Sequence, residues 1–364
     1  MKNILLISHG ELEYDGRLRE LVKIFGSIGN LSFITRGDKP IKKNQIVCSK
    51  SSYLKFILEA VKTGKEKKKI DILVLDNRKS IIPGLILRKI LRPDVTIIDC
   101  RELYIKKEVK HIAGKIGCLI ERKGIETADV IICANEFRSK KMMELYSLDE
   151  KPLVYENLRK LEYGSDEEVA LASDKLFKYI NEDEFRIVTT SGCLLSRTND
   201  ILVKNLDKIT QKTRLLMVGD SPAKDENAIK KIISTKELTN VDIIGKLNQT
   251  ELKYLITHSH IGIVNYNQND LNNKYCASGK LYEFIYEGIP VVTTTNPPLK
   301  ALCDDEHIGI ADDEYYNGLN QIIERYDNYK SCVESFASQK TVEKNNNDLI
   351  NELKEIIQAK TEGE

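Results

Sequence analysis

Residues 273–292 read NKYCASGKLYEFIYEGIPVV and join a predicted helix start to a predicted strand. Lys280 and Glu283 lie three residues apart, directly behind Ser278 and Gly279, and the segment then breaks at Gly-Ile-Pro into β-branched residues. A helix N-terminus presents unpaired backbone N–H groups and the positive end of the helix dipole, which suits a phosphate. The stretch therefore predicts a short phosphate-binding helix ahead of a strand. An ordinary Lys–Glu pair on a surface helix explains the same spacing equally well.

Short β-branched runs alternate with helix-length segments along most of the chain. This alternation is typical of parallel sheets with helices on both faces. It occurs once in each half, so we expect an α/β protein with two Rossmann-like, doubly wound parallel-sheet domains facing a cleft. The predicted strands are 3–8, 31–35, 71–76, 95–99 and 129–134 in the first half, and 186–192, 214–220, 241–245, 260–266 and 290–295 in the second.

The pattern also predicts where the domains begin and end. Residues 1–164 form the predicted N-terminal domain, and residues 165–335 form the predicted C-terminal domain. An acidic, weakly patterned segment at 161–184 is the expected linker between them. Residues 333–360 have a long polar helical pattern, so 336–364 are expected to form a helix that packs back toward the N-terminal domain.

Composition excludes several classes of protein. The chain has 364 residues, 41% hydrophobic and 30% charged, which is typical of a globular protein. No apolar run reaches the roughly 18 residues that span a bilayer, and the first ten residues resemble a strand more than a signal peptide. Eight cysteines without a C-x-x-C pair and five histidines without metal-ligand spacing predict no metal and no disulfide framework. A cytoplasmic location is expected.

Charge is distributed unevenly between the two halves. Residues 1–164 carry 33 Lys and Arg against 22 Asp and Glu, a net +11, whereas residues 165–364 carry 23 against 33, a net −10. Within the basic half, residues 106–124 have a basic amphipathic helical pattern. It predicts peripheral contact with an anionic inner-leaflet membrane, although a solvated helix face explains it equally well. No nucleic-acid-binding motif is present, so nucleic acid is not an expected partner.

A second candidate site follows the first strand of the second half. The segment TTSGCLLSRTND, residues 189–200, places Gly192 at the strand end and Arg197 five residues later. Glycine lets a backbone approach a ligand closely, and arginine suits a diphosphate. Asn265 ends another predicted strand of the same sheet, where open α/β sheets bind ligands. An exposed turn with an arginine is the alternative. No G-x-G-x-x-G and no P-loop is present.

Two polar strand-end segments in the first half are candidates for binding the acceptor or the transferred sugar. They are SHGELEYDGRLREL at 8–21 and IIDCRELY at 97–104. Each signal is weak alone, since Asp15 fits a helix N-cap and a strand-end histidine is often structural. The candidate side chains are His9, Asp15, Arg17, Asp99, Arg101 and Glu102.

Taken together, these segments resemble the bacterial family 4 (group 1) glycosyltransferases of the GT-B architecture. The resemblance covers roughly residues 1–335 and keeps the family's order of landmarks. Its most specific part is the opening stretch, which is similar to the Asn-Lys-Leu-x-Glu-Tyr...Gly-x-Pro-Val-Ile donor-site signature. The other matching segments are YDGRLREL, IIDCRELY, LIERKGIETADVIICAN and VYEN.

The resemblance implies roles for individual residues. It implies that Glu283 binds the nucleotide ribose, that Arg197 and the loop from Ser278 through Gly279 to Lys280 hold the donor diphosphate, and that Gly10 packs close to that diphosphate. The sequence also departs from the family pattern at four positions, at one of which the usual lysine is absent, with Arg197 one residue earlier. Tyr275 replaces a glutamate eight residues before Glu283, Arg101 replaces a histidine, and Cys193 replaces an arginine.

The implied function is transfer of a sugar from a nucleoside-diphosphate sugar, UDP-linked by expectation, to a glycan acceptor. The acceptor is expected to be lipid-linked, in surface polysaccharide biosynthesis such as capsule or O-antigen. Retention of anomeric configuration is implied by the family. Metal independence is expected because the chain lacks Asp-x-Asp and offers Arg197 and Lys280 for the leaving diphosphate. A nucleotide-sugar 2-epimerase and a non-catalytic GT-B partner subunit remain alternatives.

Overall fold

The computed structural model describes residues 1–67, 69–180 and 183–362, and it divides into two compact units. One unit is Met1–Asn157 together with the C-terminal segment from Val342, and the other is Leu158–Thr341. Lys68, Asn181, Glu182 and the last two residues of the predicted C-terminal helix lie outside the described residues. No helix in the described part of the chain is both long enough and apolar enough to cross a bilayer.

The first unit alternates strands with helices, as the sequence predicts. Its strands 3–8, 31–35, 71–76, 95–99 and 129–134 are confirmed, and two short strands at 45–48 and 153–154 are added. In chain order the elements are β1 (Asn3–Glu11), α1 (Gly16–Ile28), β2 (Asn30–Arg36), β3 (Gln45–Cys48), α2 (Tyr53–Gly64), β4 (Ile72–Asp76), α3 (Ile81–Leu91), β5 (Val95–Cys100), α4 (Ile112–Ile125), β6 (Val130–Cys133), α5 (Glu136–Tyr146) and β7 (Leu153–Val154).

The second unit repeats the alternation and adds one strand, at 309–311, to those predicted. Its elements are α6 (Asp166–Leu176), β8 (Phe185–Thr189), α7 (Asn199–Lys204), β9 (Thr213–Val218), α8 (Ala223–Thr235), β10 (Val241–Gly245), α9 (Gln249–Thr257), β11 (Ile261–Val264), α10 (Leu271–Lys274), α11 (Gly279–Ile285), β12 (Val291–Thr293), α12 (Pro297–Glu306), β13 (Gly309–Ala311), α13 (Tyr316–Glu324) and α14 (Tyr326–Gln339). The last helix of the chain, α15 (Val342–Glu362), belongs to the first unit.

Both sheets are parallel and doubly wound, which confirms the predicted fold class. Among the described residues, the first sheet has seven strands in the order β3-β2-β1-β4-β5-β6-β7, and the second has six in the order β10-β9-β8-β11-β12-β13. In each sheet the order of the strands reverses once, at β1/β4 in the first sheet and at β8/β11 in the second. Ligands of such sheets bind outside the carboxyl ends of the strands at this switch point.

Helices cover both faces of the first sheet. The core on one face contains α1 and α15, with Leu349, Leu353 and Ile357 of α15 almost fully buried. On the opposite face the closest helix approaches occur at glycines. Gly84 of α3 lies against Leu75, and Gly124 of α4 lies against Ile98. The helices α2, α3 and α4 pack side by side on that second face.

Two boundaries of the second unit differ from the predicted domain boundaries. Leu161 is buried in the core of the second unit, so that unit begins at residue 158 rather than 165. Phe336 packs into the same core, so the unit extends to 341 rather than ending at 335. The predicted continuous helix over 333–360 is therefore two helices, α14 and α15, whose apolar residues lie in different cores.

The expected linker at 161–184 contains a helix. α6 begins with a capping box, in which the Ser165 side chain accepts from Glu168 N and the Glu168 side chain accepts from Ser165 N. Ala172 and Leu176 are buried on its inner face. The S-x-x-E signature that starts this helix is visible in the sequence, and the acidic composition of the segment masks it.

Candidate functional site

The switch point of the second sheet brings together the loops that follow β8 and β11. Three buried polar side chains tie these loops to the start of α7. Ser191 Oγ donates to Asn265 Oδ1 at 3.1 Å, and Asn265 Nδ2 donates to Asn199 Oδ1 at 2.8 Å. Asn199 Nδ2 in turn donates to Ser191 Oγ at 2.9 Å. Because their polar groups are paired with each other, these three side chains hold the two loops together.

Gly192 lies where two strand-end loops of the second unit come into close contact. Its φ is +56°, and a Cβ atom there would lie 2.7 Å from the carbonyl oxygen of Gly219 and 2.5 Å from Ser221 Oγ. The close approach that requires glycine is thus between two strand-end loops of the protein itself. Cys193 is buried among the apolar residues of the unit.

Arg197 lies in a 3₁₀ turn, Leu195–Arg197, between β8 and α7. Its guanidinium stacks over the ring of Tyr266, with Cζ 3.9 Å from the ring centre, and Nη1 donates to the backbone oxygen of Asn265 at 3.3 Å. Both partners follow β11. The ring therefore holds this arginine beside the switch point, and a guanidinium keeps spare donors in such a contact.

Lys280, the second residue of α11, reaches across to the loop after β8. Its ammonium donates to the backbone oxygen of Thr190. Burial lowers the pKa of Lys280 to about 8, and the positive charge of Arg197 contributes to this lowering. In the same loop, Thr190 Oγ1 is buried without a hydrogen-bond partner among the described residues. The lysine is thus a desolvated cation next to a second cation, which raises its attraction for an anion.

Glu283 lies one turn after Lys280 and is 2% exposed. Its Oε1 pairs with Nε of Arg159 at 2.8 Å, while the Arg159 side chain itself is 60% exposed. Burial raises the pKa of Glu283, and the charges of Arg159 and Lys280 oppose that rise. Sequence reasoning missed Arg159, since nothing in its local spacing marks it and its partner is distant in the chain.

The remaining predicted donor residues flank α11. Ser278 is the N-cap of this helix, and its hydroxyl accepts from Leu281 N at 3.3 Å. Its side chain therefore already makes a hydrogen bond within the protein. Gly279 is the first helical residue. Tyr275 ends α10, is half-buried, and lies 5.8 Å (ring centre) from the Lys274 ammonium.

The second unit therefore has an excess of positive charge around one carboxylate. The charges of Arg159 and Lys280 act on the Glu283 carboxylate, and the charges of Arg197, Glu283 and Arg159 act on Lys280. The site thus holds three cations and one buried anion, at the sheet edge where ligands bind. Such a site suits a polyanionic ligand that also carries hydroxyl groups for the carboxylate.

The switch point of the first sheet also carries charge, but most of it is internally paired. Arg17 and Asp99 form a buried bidentate pair at 2.6 and 2.8 Å, and Arg17 Nη1 donates to Tyr155 O at 2.8 Å. Asp99 is fully buried and Arg17 is 8% exposed. These two residues, for which a role in binding the acceptor or sugar is predicted, connect α1 to the sheet.

Arg101 is held by two carboxylates. It is bidentate to Asp76 at 2.7 Å through Nε and Nη2, and its Nη1 reaches Asp15 at 2.6 Å. Asp15 also caps α1 by accepting from Leu18 N. Gly10 lies next to this cluster, since a Cβ on it would be 2.8 Å from Asp15 Oδ2. The structure thus groups Gly10, Asp15 and Arg101, and adds Asp76, which the sequence analysis did not select.

His9 and Glu102 lie outside this charge network. His9 packs edge-on against Tyr53 and Phe56, with ring centres 5.6 and 4.9 Å away. Burial and the nearby charge of Lys79 lower the pKa of His9 to about 4, so the ring is neutral at pH 7. Glu102 is exposed. In the described part of the chain, no cluster of three or more His, Cys, Asp or Glu side chains is arranged to hold a metal ion.

No protein-family model and no curated protein sequence matches this chain. Solved structures do match it over nearly its whole length. A crystal structure of Anabaena HepE in complex with UDP-glucose has a TM-score of 0.70 and 15% identity, with 97% of this chain and 99% of that chain covered. WaaG, a glycosyltransferase involved in lipopolysaccharide biosynthesis, has a TM-score of 0.66 and 14% identity, with 96% and 98% covered. The expected GT-B fold is therefore confirmed.

Proposed function

We propose that this protein is a glycosyltransferase that uses a nucleoside-diphosphate sugar, with UDP as the nucleotide. The observation that carries the proposal is the buried carboxylate of Glu283 beside Lys280 and Arg197, at the switch point of the second sheet. A nucleoside diphosphate presents both a polyanion and vicinal hydroxyls, which matches this charge pattern. That HepE, of the same fold, is known in complex with UDP-glucose supports the choice of nucleotide.

In this proposal, Glu283 accepts hydrogen bonds from the ribose hydroxyls, and Lys280 and Arg197 bind the diphosphate. Negative charge grows on the β-phosphate as the bond from the sugar C1 to its oxygen breaks. Cations fixed near that oxygen stabilise the transition state more than the ground state. Stacking on Tyr266 and the hydrogen bond to Thr190 place both cations before the donor arrives. We propose that these residues supply the leaving-group stabilisation without a divalent ion.

The stereochemical part of the proposal is retention of the anomeric configuration. The acceptor oxygen forms its bond to C1 on the face from which the diphosphate leaves. The departing phosphate takes the proton of the acceptor hydroxyl, so no side chain is assigned as the general base. The first unit supplies the acceptor site, where Asp15 and Arg101 are partly exposed beside the fully paired Arg17 and Asp99.

The proposed acceptor is a lipid-linked glycan of surface polysaccharide synthesis, reached from the cytoplasmic side of the membrane. The support is an exposed apolar surface on the first unit, which we call the α3–α4 face. Between these helices Ile86, Ile116 and Leu119 line an open apolar groove, with Lys123 at its edge. Apolar contacts flanked by lysine suit an anionic bilayer. Further exposed residues nearby are Ile90 on α3, Ile112 on α4, and Leu54 and Leu58 on α2.

Turnover assays separate this proposal from its alternatives. The protein is incubated with a panel of UDP-sugars, with and without lipid-linked glycan acceptors and with EDTA, and the products are identified by NMR. A glycosyltransferase releases UDP in an acceptor-dependent way and gives a product with the donor's anomeric configuration. Conversion of the UDP-sugar to an epimer without acceptor would identify a 2-epimerase. Binding without turnover under every condition would favour a non-catalytic subunit.

Vesicle sedimentation tests the membrane part. Wild-type protein is expected to bind phosphatidylglycerol-containing vesicles better than phosphatidylcholine vesicles, and less well at high salt. The double variant Ile112→Ser/Ile116→Ser is expected to lose most of this binding. Leu171→Ser is the control, since Leu171 is equally apolar and 68% exposed but lies on α6 of the other unit. Equal binding by all three proteins would exclude the α3–α4 face as the contact.

A further inference from the structure

Arg159 of the second unit is a mostly exposed side chain that pairs with a buried carboxylate. It lies just inside the start of that unit, and its side chain is 60% exposed. An exposed arginine normally pairs with an exposed carboxylate, and such pairs contribute little to stability. Arg159 instead pairs with Glu283, whose side chain is 3% exposed.

A buried carboxylate depends strongly on a positively charged partner to remain ionised. Burial favours the neutral acid, in which one oxygen becomes a donor rather than an acceptor. Ribose hydroxyls donate hydrogen bonds and therefore need acceptor oxygens on the carboxylate. Nε of Arg159 lies 2.8 Å from Oε1 of Glu283. Because an ionised carboxylate has about four lone-pair sites, one arginine contact leaves capacity for two hydroxyl donors.

We infer that Arg159 is a positioning residue for nucleotide binding, which holds the Glu283 carboxylate in the orientation and charge state that the ribose requires. The inference rests on the proposed function, because it assumes that Glu283 binds ribose. Arg159 acts on the ligand through Glu283 and needs no contact of its own with the nucleotide. This separates it from Lys280 and Arg197, to which the diphosphate is assigned.

The other charges around Glu283 determine how the test is designed. Lys280 lies one turn before it, on the same helix, and Arg197 acts on Lys280 from the loop after β8. Glu287, one turn after, is paired with Lys253 of α9. The group that opposes Glu283 protonation besides Arg159 is therefore Lys280, which keeps its proton below its pKa of about 8.

The experiment measures the dissociation constant of UDP by calorimetry, at about pH 6 and about pH 7.5, for the wild type, Arg159→Ala and Arg159→Lys. Each variant is compared with the wild type at the same pH, so the titration of UDP itself cancels. Since Arg159 lowers the pKa of Glu283, its removal is expected to weaken UDP about tenfold or more at the lower pH, and clearly less at the higher pH. Arg159→Lys is expected to recover part of the loss.

Arg122→Ala is the matched control. Arg122 is 56% exposed and pairs through Nε with Glu126 Oε1 at 2.9 Å, a geometry close to that of Arg159 but on a surface helix of the first unit. Its UDP affinity is expected to equal that of the wild type at both pH values. If Arg159→Ala lost the same factor at both pH values, or lost nothing, the positioning role would be refuted.

A second measurement shows which claim has failed. In the ligand-free protein, thermal melting of Arg159→Ala, Glu283→Gln and the double variant tests the pair directly. Arg159→Ala is expected to lower the melting temperature more at about pH 7.5 than at about pH 5, and to have little effect in the Glu283→Gln background. Independent effects of the two changes would refute the pairing. Absence of UDP binding by the wild type would overturn both the proposed function and this inference.

Discussion

Replacing Gly192 with alanine should destabilise the second unit by more than the cost of its backbone conformation alone. The φ of +56° is in the left-handed region, where a side chain costs about 1 kcal/mol or somewhat more. The new Cβ would also lie 2.7 Å from Gly219 O and 2.5 Å from Ser221 Oγ. Forcing an atom into such contacts costs about 1–3 kcal/mol more. We therefore expect Gly192→Ala to lower the free energy of unfolding by about 3 kcal/mol.

Gly245 provides the control that separates the steric cost of the new Cβ atom from the cost of the backbone conformation. It also has a positive φ, +75°, in the same unit, but a Cβ there would have no atom within 4 Å. Gly245→Ala is expected to cost only about 1 kcal/mol. Urea unfolding followed by far-UV circular dichroism measures both variants on the same transition. Equal losses for the two variants would show that the contact between the loops after β8 and β9 does not require glycine at 192.

The remaining predictions concern charge. UDP affinity is expected to fall as pH rises through about 8, because the pKa of Lys280 has that value and only the protonated amine attracts phosphate. Lys280→Arg should remove this pH dependence. If calorimetry showed the same decline of affinity with pH in the variant, the role of Lys280 would be contradicted. Arg17→Met should lower the free energy of unfolding by about 3–5 kcal/mol, because it leaves the Asp99 carboxylate buried without its bidentate partner. Arg19→Ala on the same helix, where the arginine is exposed, should change it by less than about 0.5 kcal/mol; similar urea midpoints for the two variants would contradict a structural role for the buried pair.

The fold could be predicted from the sequence because the central strands of both sheets are buried. Such strands are continuous apolar runs, as in β4, where all five residues are buried. The short strands β3, β7 and β13 were missed because none lies in a β-branched run as long as the one around β12, at 290–295. The helix α6 was missed because its charged surface obscured its capping box.

The candidate site could be predicted only where its residues are close in the chain. Lys280 and Glu283 share one short helix, and their spacing was sufficient to select them. The partners that determine their chemistry, Arg159 and Thr190, come from other loops, so no local pattern marks them. The same reason explains why the pairing of Asp99 with Arg17 was not predicted, since Arg17 is 82 positions away.

Strand register would have provided one additional signal. In the first sheet Ser8 lies beside Asp76, and Asp76 lies beside Asp99, on three adjacent strands. Carboxylates in a row at strand ends require cations, and Arg17 and Arg101 supply them. Pairing the predicted strands in order would have placed Asp76 in this cluster and shown that its arginines already have partners.

The central claim is that the second unit binds a nucleoside diphosphate through Glu283. Its most direct test is calorimetric titration of UDP into the wild type and Glu283→Gln at neutral pH, with EDTA present. The glutamine keeps the size of the side chain but removes the charge and half of its acceptors. We predict that the wild type binds UDP in EDTA and that Glu283→Gln binds it at least about tenfold more weakly, which corresponds to about 1.4 kcal/mol. Equal affinity of the two proteins would contradict the claim.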